Sequence, residues 1–337
     1  MDKLTTGEFL ANRPSSGDIT LDLGAGQAVE LTHLEKVYWP DEGFTKGDLL
    51  RYYVSVADFI MPYLQDRPAI LKRYPNGIRP LPAGAEVKRK DRGTDFRNRD
   101  GGFFQQNLDP ATVPPFVKTA LLTTIEMAHP VNYAVYTNLA TLLYLVNLGT
   151  IAHNPWHSRL ENLDSPDYIV FDLDPHVAPW ENVVQLALAV RDTLLKETGL
   201  TCFIKTSGSS GLHLFVPLEA ARHSYEEVAT FAEKFAGLVV DRFPKIATLE
   251  RSLKKREPDK VYLDWLQNAR GKAVAAAYTV RAKPGATVSM PLDWSEVEKG
   301  VFRLADFTIE TVPPLLAKRG DLWKKLFSTP QRLPAKF

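Results

Sequence analysis

Cysteine is almost missing from this 337-residue chain, in which Cys202 stands alone. One thiol cannot form an internal disulfide, so a disulfide-stapled extracellular scaffold is excluded. Long apolar runs are also missing. The longest, Leu139 to Leu148, is far shorter than the roughly 20 residues that span a bilayer, and the N-terminal segment has no apolar secretion-signal core. We therefore expect a cytoplasmic protein that has no membrane partner.

A strong charge of either sign is lacking as well, because 41 Lys and Arg balance 40 Asp and Glu. A polycation that coats nucleic acid over its whole surface is therefore excluded, and a polyanion would need a local patch. One such patch lies between Lys72 and Arg99, where basic residues outnumber acidic ones by six. It indicates either a polyanion-binding loop or an ordinary solvated loop. The length predicts about two domains or lobes.

The first half of the chain carries a clear helix signal and a long loop signal. Thr45 as N-cap and Asp48 three residues later form a capping-box pattern, which predicts a helix that ends near Pro62. Residues 74–107 are polar with scattered Gly and Pro, and this composition predicts a long loop. Residues 137–148 predict a buried helix.

Strand and helix patterns alternate from about residue 166 onward, which predicts a mixed α/β lobe. The predicted helices are residues 183–195 and 225–240. The predicted strands are residues 168–173, 203–206, 212–217, 261–265 and 273–280.

Acidic residues interrupt two of these apolar strands. The period of two in a strand places Asp172 and Asp174 on one face, about 7 Å apart, with Leu173 pointing the other way. Asp264 lies in a similar apolar setting. Three strand-borne carboxylates suffice for phosphoryl transfer with two metal ions, and oxygen ligands favour Mg²⁺ or Mn²⁺. Strand-end aspartates also cap turns, so a structural role remains an alternative.

A Gly- and Ser-rich turn lies between the acidic strands, in the segment KTSGSSGLHLFVPL. Successive small residues can aim backbone N–H groups at a triphosphate, with Ser207 and His213 adding side-chain contacts. A plain tight turn fits these residues equally well, and neither a P-loop nor a nucleophile elbow is present. Other residues able to complete a nucleotide pocket are Lys72, His153, Lys260 and Arg281.

Nucleic-acid contacts are predicted in the first half of the chain. Lys46 lies in the first turn of the helix capped by Thr45, where free N–H groups attract an anion such as phosphate, although a solvent-facing lysine fits this position equally well. Phe103 and Phe104 are able to stack on a base, although both also suit a protein core.

Eight segments match one known family in order: LTHLEKVYWP, FTKGDLLRYY, AILKRYPNG, GGFFQQN, NLGTIAHNPWHS, DYIVFDLDP, KTSGSSGLHLFVPL and VYLDWLQNARGKAVAAAYTVRAKPGA. On these motifs the chain resembles the polymerase domain of bacterial ligase D and its stand-alone relatives, within the archaeo-eukaryotic primase superfamily. The resemblance implies an α+β, two-lobed fold with an RRM-like catalytic sheet packed against an N-terminal α/β lobe. The implied divisions are 1–160, 161–300 and a helical extension at 301–337.

The resemblance also implies an activity and its residues. The implied reaction extends a 3′ hydroxyl with NTPs or dNTPs, preferably ribonucleotides, at DNA gaps or breaks with a 5′ phosphate. Asp172, Asp174 and Asp264 would hold two Mn²⁺ or Mg²⁺ ions. Separate ligase and end-binding proteins would complete the repair. The implied nucleotide ligands are Lys72, His153, Ser207, His213 and Arg281, and the implied DNA ligands are Lys36, Lys46, Phe103 and Phe104.

This sequence departs from the family pattern at three places. Ser210 replaces a basic residue of the Ser/Gly turn, and Gln106 replaces a lysine that follows the two phenylalanines. An insert at residues 80–100 contains Lys88, Arg89 and Lys90, which we expect to contact DNA. Three alternatives use similar residues: a haloacid-dehalogenase-type phosphatase, a catalytically silent DNA-end-binding module and a metal-dependent nuclease.

Overall fold

The computed structural model describes residues 2–12, 17–79, 101–124 and 129–337. Within these ranges the helices are α1 Thr6–Asn12, α2 Lys46–Ser55, α3 Ala57–Leu64, α4 Leu139–Asn147, α5 Trp180–Thr198, α6 Tyr225–Arg242, α7 Trp294–Lys299 and α8 Val312–Arg319. The strands are β1 Asp2–Thr5, β2 Ile19–Gly24, β3 Gln27–Leu31, β4 Val37–Trp39, β5 Phe44–Thr45, β6 Ala69–Arg73, β7 Phe103–Gln105, β8 Lys118–Leu122, β9 Val131–Val135, β10 Thr150–Pro155, β11 Tyr168–Asp174, β12 Phe203–Thr206, β13 Leu212–Pro217, β14 Ala247–Thr248, β15 Val261–Asp264 and β16 Pro291–Leu292.

A six-stranded sheet forms the centre of the C-terminal half, in the order β14-β15-β11-β13-β12-β16. All its pairings are antiparallel except that of β14 with β15. Phe171 of β11 and Phe235 of α6 are fully buried and in ring contact, which packs α6 against the sheet. This arrangement confirms the mixed α+β fold.

Smaller sheets occupy the N-terminal half and pack tightly against the second half. They are β1-β2-β3, β10-β6-β7 and the pairs β4-β5 and β8-β9. The hydroxyl of Tyr52 donates to the Tyr278 carbonyl at 2.7 Å, and the Trp39 indole donates to the Lys283 carbonyl at 2.9 Å. These hydrogen bonds connect the two halves. The predicted division near residue 160 stays a prediction.

Most predicted elements are present, but three predictions are wrong in detail. Strands 203–206 and 212–217 match β12 and β13, and the buried helix matches α4. The helix predicted to end near Pro62 instead breaks at Val56, and Pro62 lies inside α3. Proline removes only one helical N–H, and the Gln65 N–H still bonds to the Met61 carbonyl at 2.9 Å.

The segment 273–280 is irregular rather than a strand. Its Tyr278 has a φ of 65°, a left-handed conformation that strands do not accommodate. Within the described structure its β pairing is limited to isolated bridges, such as Val280 with Val288. The predicted loop 74–107 was also wrong in part, because β7 Phe103–Gln105 pairs with β6.

The C-terminal residues return to the central sheet. Trp323 is buried, and its indole donates to the Ile204 carbonyl at 3.0 Å. Gln331 forms a parallel bridge with Leu218. Among the described residues, no helix is both long enough and apolar enough to cross a membrane.

Candidate active site

Four charged or titratable side chains form one cross-strand row over the central sheet. In the β12–β13 pairing Lys205 lies opposite His213, in the β13–β11 pairing His213 lies opposite Asp172, and in the β11–β15 pairing Asp172 lies opposite Asp264. Directly opposed residues in neighbouring strands share a face of the sheet. The row therefore runs from a lysine through a histidine to two carboxylates.

Asp172 occupies the middle of this row, and its side chain retains 26% exposure. Burial, with the nearby charges of Asp264 and Asp174, raises its pKa to about 7. Its Oδ1 lies 3.4 Å from His213 Nε2. A carboxylate whose ionisation is resisted by two neighbouring carboxylates is one that a divalent cation would stabilise in its charged form.

The other two carboxylates are held by neighbouring groups. Asp174 Oδ2 accepts from the Arg256 guanidinium at 3.2 Å, and Asp264 accepts from the Gln267 amide at 2.7 Å. In this arrangement the described residues contain no group of three His, Cys, Asp or Glu side chains that encloses a metal position. The Arg256 guanidinium therefore contacts one of the two Asp174 oxygens that could contact an ion.

The Ser/Gly turn joins β12 to β13 beside the row. Its shape differs from the expected open cradle, because the Ser207 hydroxyl oxygen accepts the N–H groups of Ser209 and Gly211, each at 3.1 Å. Two of the backbone donors predicted to face a phosphate are therefore used within the turn. The Ser207 carbonyl accepts from the Arg281 guanidinium at 2.5 Å, which brings Arg281 to the turn.

Close backbone packing fixes the glycines of this turn. A Cβ on Gly211 would lie 2.0 Å from the Leu173 carbonyl oxygen, which is between the two aspartates of β11. Gly208 has a φ of +67°, and a Cβ there would lie 2.7 Å from the Arg281 side chain. The glycines thus allow the turn to approach both β11 and Arg281.

Lys205 is a site residue that the sequence analysis missed. It is fully buried, and its Nζ lies 2.9 Å from His213 Nδ1 and 2.5 Å from Ser289 Oγ. Burial and the Arg281 charge lower its pKa, whereas Asp172 raises it. Its position immediately before the Ser/Gly turn is the signal that could have indicated it. The sequence analysis also missed Arg256, which lies within a charged run at residues 250–260.

Lys72 and the two phenylalanines come together on a second sheet. Lys72 of β6 pairs with Phe104 of β7, and its ammonium lies 5.6 Å from the Phe104 ring centre and 5.4 Å from the Tyr74 ring centre. Phe104 is 37% exposed, so its ring is available for stacking. Arg73 lies over Phe103 in the same way, at 5.6 Å.

His153 is buried and Lys260 is ion-paired, so both side chains are less accessible to a nucleotide than the sequence analysis predicted. His153 is fully buried on β10, with Nδ1 2.6 Å from the Tyr136 hydroxyl, and burial lowers its pKa to about 3. Its Nε2 has no hydrogen-bond partner in the described structure. Lys260 forms an ion pair with Glu257 at 2.7 Å on the loop before β15. Lys260 would have to leave Glu257 to bind a nucleotide.

Lys36 and Lys46 form a second cationic locus in the N-terminal half. The Lys36 ammonium donates to the Pro75 carbonyl at 2.7 Å, and that of Lys46 donates to the Thr32 carbonyl at 2.6 Å. Lys46 is buried, and burial together with the Lys36 charge lowers its pKa to about 8. An anion placed between them would offset this repulsion.

The start of α2 does not itself offer an anion site, contrary to the prediction. The N–H groups of Lys46 and Gly47 donate to the carbonyls of Lys36 and Leu34, and that of Asp48 donates to Thr45 Oγ. These N-terminal donors are already satisfied, so any phosphate here would be bound by the two ammonium groups. The predicted DNA ligands Lys88, Arg89 and Lys90 lie outside the described residues.

Comparisons with known proteins identify the family of this chain. The family model for the LigD primase-polymerase domain matches residues 45–323. The chain is 32% identical over 342 residues to the multifunctional non-homologous end joining protein LigD of Pseudomonas aeruginosa, covering 98% of this chain and 37% of that protein. It is 31% identical to the bifunctional non-homologous end joining protein LigD of Bacillus subtilis, covering 91% of this chain and 45% of that protein.

A solved structure is also similar. The polymerase domain from Mycobacterium tuberculosis ligase D in complex with DNA superposes with a TM-score of 0.74 at 27% identity, covering 89% of this chain and 98% of that one. This chain spans less than half the length of the two LigD proteins above. The matches leave the dehalogenase-type alternative without support.

Proposed function

Since this chain belongs to the LigD primase-polymerase family, we propose that it is a DNA-dependent nucleotidyltransferase that extends a 3′ hydroxyl at gaps or breaks bearing a 5′ phosphate. It would accept NTPs and dNTPs, with a preference for ribonucleotides. Separate ligase and end-binding proteins would act with it in non-homologous end joining.

The cross-strand row supports this proposal most directly. Asp172, Asp174 and Asp264 are the carboxylates that would hold two Mn²⁺ or Mg²⁺ ions, and the raised pKa of Asp172 marks a deficit of positive charge there. Bound ions would lower the pKa of the attacking hydroxyl and neutralise charge on the transferred phosphorus.

The remaining residues would bind the substrates. Ser207, His213 and Arg281 adjoin the turn beside the row, where a triphosphate would meet their donors. Phe103 and Phe104 would contact the DNA bend or the templating base by stacking. Lys72 and His153 would contribute to the nucleotide site, with Lys260 at its edge after release from Glu257. The basic residues Lys88, Arg89 and Lys90 would add phosphate contacts to DNA.

Primer extension on a gapped duplex tests the proposal. The duplex carries a 5′ phosphate at the gap, and each NTP or dNTP is supplied in turn with Mn²⁺ or Mg²⁺. We expect template-directed extension, faster with an NTP than with the dNTP of the same base. A primer ending in a dideoxynucleotide is the matched control.

The alternatives give different results in the same assay. Duplex binding without extension would favour a silent end-binding module. Degradation of the duplex that needs the metal but no nucleotide would favour a nuclease.

Lys36 and Lys46 predict a pH-dependent preference for the 5′ phosphate. Deprotonation of Lys46 removes one of the two charges. The preference for a phosphorylated gap over a 5′-hydroxyl gap should therefore fall as the pH rises above about 8. A charged hydrogen bond of this kind corresponds to about tenfold in affinity. Anisotropy measurements of both duplexes between about pH 7 and pH 9.5 would measure it.

The Lys46→Met variant provides the comparison. It should keep only the smaller preference for the phosphorylated duplex that the Lys36 ammonium supplies, and this preference should not change near pH 8, because Lys46 no longer titrates there. A Lys46→Met protein that keeps the full wild-type preference and its pH dependence would contradict this assignment.

A further inference from the structure

The buried ammonium of Lys205 has three neighbours that define its hydrogen bonding. Its Nζ lies 2.5 Å from Ser289 Oγ, 2.9 Å from His213 Nδ1 and 3.4 Å from the Thr206 carbonyl. Lys205 and Ser289 have no solvent exposure and His213 has only 4%, so these partners are not exchanged for bulk water. In its charged form Lys205 has three protons and no acceptor, which matches three neighbours that are each able to accept.

Ser289 fixes the direction of the first bond. Its hydroxyl donates to the Thr206 carbonyl at 2.7 Å, because a carbonyl oxygen can only accept. The single hydroxyl proton is used there, so Ser289 Oγ must accept from Lys205. The amine therefore donates to Ser289, and its long contact with the Thr206 carbonyl has the same direction.

With the other two N–H groups of a charged Lys205 directed to Ser289 and the Thr206 carbonyl, the third N–H would donate to His213 Nδ1. A ring nitrogen that accepts a hydrogen bond carries no proton, so the neutral imidazole has its proton on Nε2. Nε2 lies 3.4 Å from Asp172 Oδ1. With Asp172 ionised, the opposite tautomer would place an unprotonated nitrogen against this carboxylate oxygen and leave two acceptors facing each other.

We propose that Lys205 is a positioning residue, which fixes His213 as an Nε2–H donor directed to the metal and triphosphate side of the site. This inference rests on the proposed polymerase function for its consequence in catalysis. The tautomer itself is a property of the protein alone. His213 would thereby offer a phosphate oxygen a donor rather than a lone pair, without needing a positive charge of its own.

Nitrogen-15 NMR of the histidine rings tests the tautomer directly in the unliganded 337-residue chain. In the wild type the His213 signals should show a protonated Nε2 and an unprotonated Nδ1, assigned by their absence in His213→Gln. In Lys205→Met, whose side chain is neutral and similar in length, this pattern should be lost or mixed. A wild-type ring protonated at Nδ1 would overturn the proposal, whether or not the variant folds.

Ser289→Ala is the matched structural control. It removes another partner from the same buried network but leaves the bond from Lys205 to His213. We expect it to lower thermal stability while retaining the wild-type tautomer. If Ser289→Ala changes the tautomer as much as Lys205→Met, Lys205 has only a general packing role.

Steady-state extension then measures the consequence for the nucleotide. Lys205→Met should raise the KM for NTP about tenfold, with a smaller change in kcat, as expected for a lost oriented donor to a charged group. In a His213→Gln background, where an amide supplies an N–H without help from Lys205, the added Lys205→Met change should alter KM by about twofold or less. Equal effects in both backgrounds would contradict the proposed route through His213.

The two measurements separate failure of the inference from failure of the proposed function. A protein with the expected tautomer and no primer extension would preserve the role of Lys205 and reject the polymerase. Normal extension with a ring protonated on Nδ1 would do the reverse.

Discussion

Asp172→Asn should reduce primer extension by about a thousandfold or more, which corresponds to about 4 kcal/mol of transition-state stabilisation. The asparagine keeps the shape of the side chain but removes the charge at the middle of the cross-strand row. Asp172 lies between His213 and Asp264 in the row, so its loss would leave only Asp174 and Asp264 of the three proposed ion ligands. Single-turnover extension with saturating NTP and Mn²⁺ would measure the loss.

The same substitution should stabilise the metal-free protein at high pH. The pKa of Asp172 is raised to about 7 from its ordinary value of 3.8, so its ionisation destabilises the fold progressively as pH rises between these values. We expect Asp172→Asn to be more stable than the wild type by about 1–2 kcal/mol above pH 7 and equally stable near pH 4. Urea unfolding without divalent ions, at both pH values, measures this difference.

Asp192→Asn is the matched control for both effects. Asp192 is 66% exposed and pairs with Arg191 on α5, away from the row. Its amide variant should retain wild-type extension and lose about 0.5 kcal/mol at most. An Asp172→Asn enzyme that still extends primers at a substantial rate would exclude Asp172 as a metal ligand.

Asp167→Asn should lower the free energy of unfolding by about 3–5 kcal/mol, the expected cost of leaving a buried charge unpaired. Asp167 precedes β11 and receives an ion pair from the fully buried Arg67 and another from Arg159 at 2.9 Å. Arg67 also lies over the Tyr168 ring at 5.1 Å. The neutral amide would leave the Arg67 guanidinium without a full counter-charge inside the protein. Urea unfolding monitored by circular dichroism gives the value.

Two further variants determine whether the unpaired charge is the cause. Combining Asp167→Asn with Arg67→Met removes both charges and should recover part of the lost stability. Glu219→Gln disrupts the more exposed pair with Arg332 and should cost about 0.5 kcal/mol or less. If the double variant is no more stable than Asp167→Asn, lost packing rather than the buried charge accounts for the effect.

The local sequence pattern was sufficient to predict the central elements of the site. The Asp-Leu-Asp spacing on an apolar strand predicts two carboxylates on one face, and β11 has this arrangement with Leu173 buried between them. The capping box at Thr45 is also present. These features depend on residues a few positions apart, whose geometry the backbone periodicity fixes.

Long-range contacts explain why the predictions for the start of α2 and for residues 273–280 were wrong. The free N–H groups expected at the start of α2 are taken by the carbonyls of Lys36 and Leu34, which lie in a preceding segment. The Ala-rich segment 273–280 has strand-like residues, yet its backbone bonds go to scattered partners such as the His153 and Ser289 carbonyls. Propensity cannot foresee such partners.

The sequence by itself determined the residue types of the site, the strands that carry them and the face on which Asp172 and Asp174 lie. The register of β12, β13, β11 and β15 decided that Lys205, His213, Asp172 and Asp264 share one row. A shift of one residue in any pairing would turn a member of the row to the opposite face, and register depends on the packing of the whole sheet.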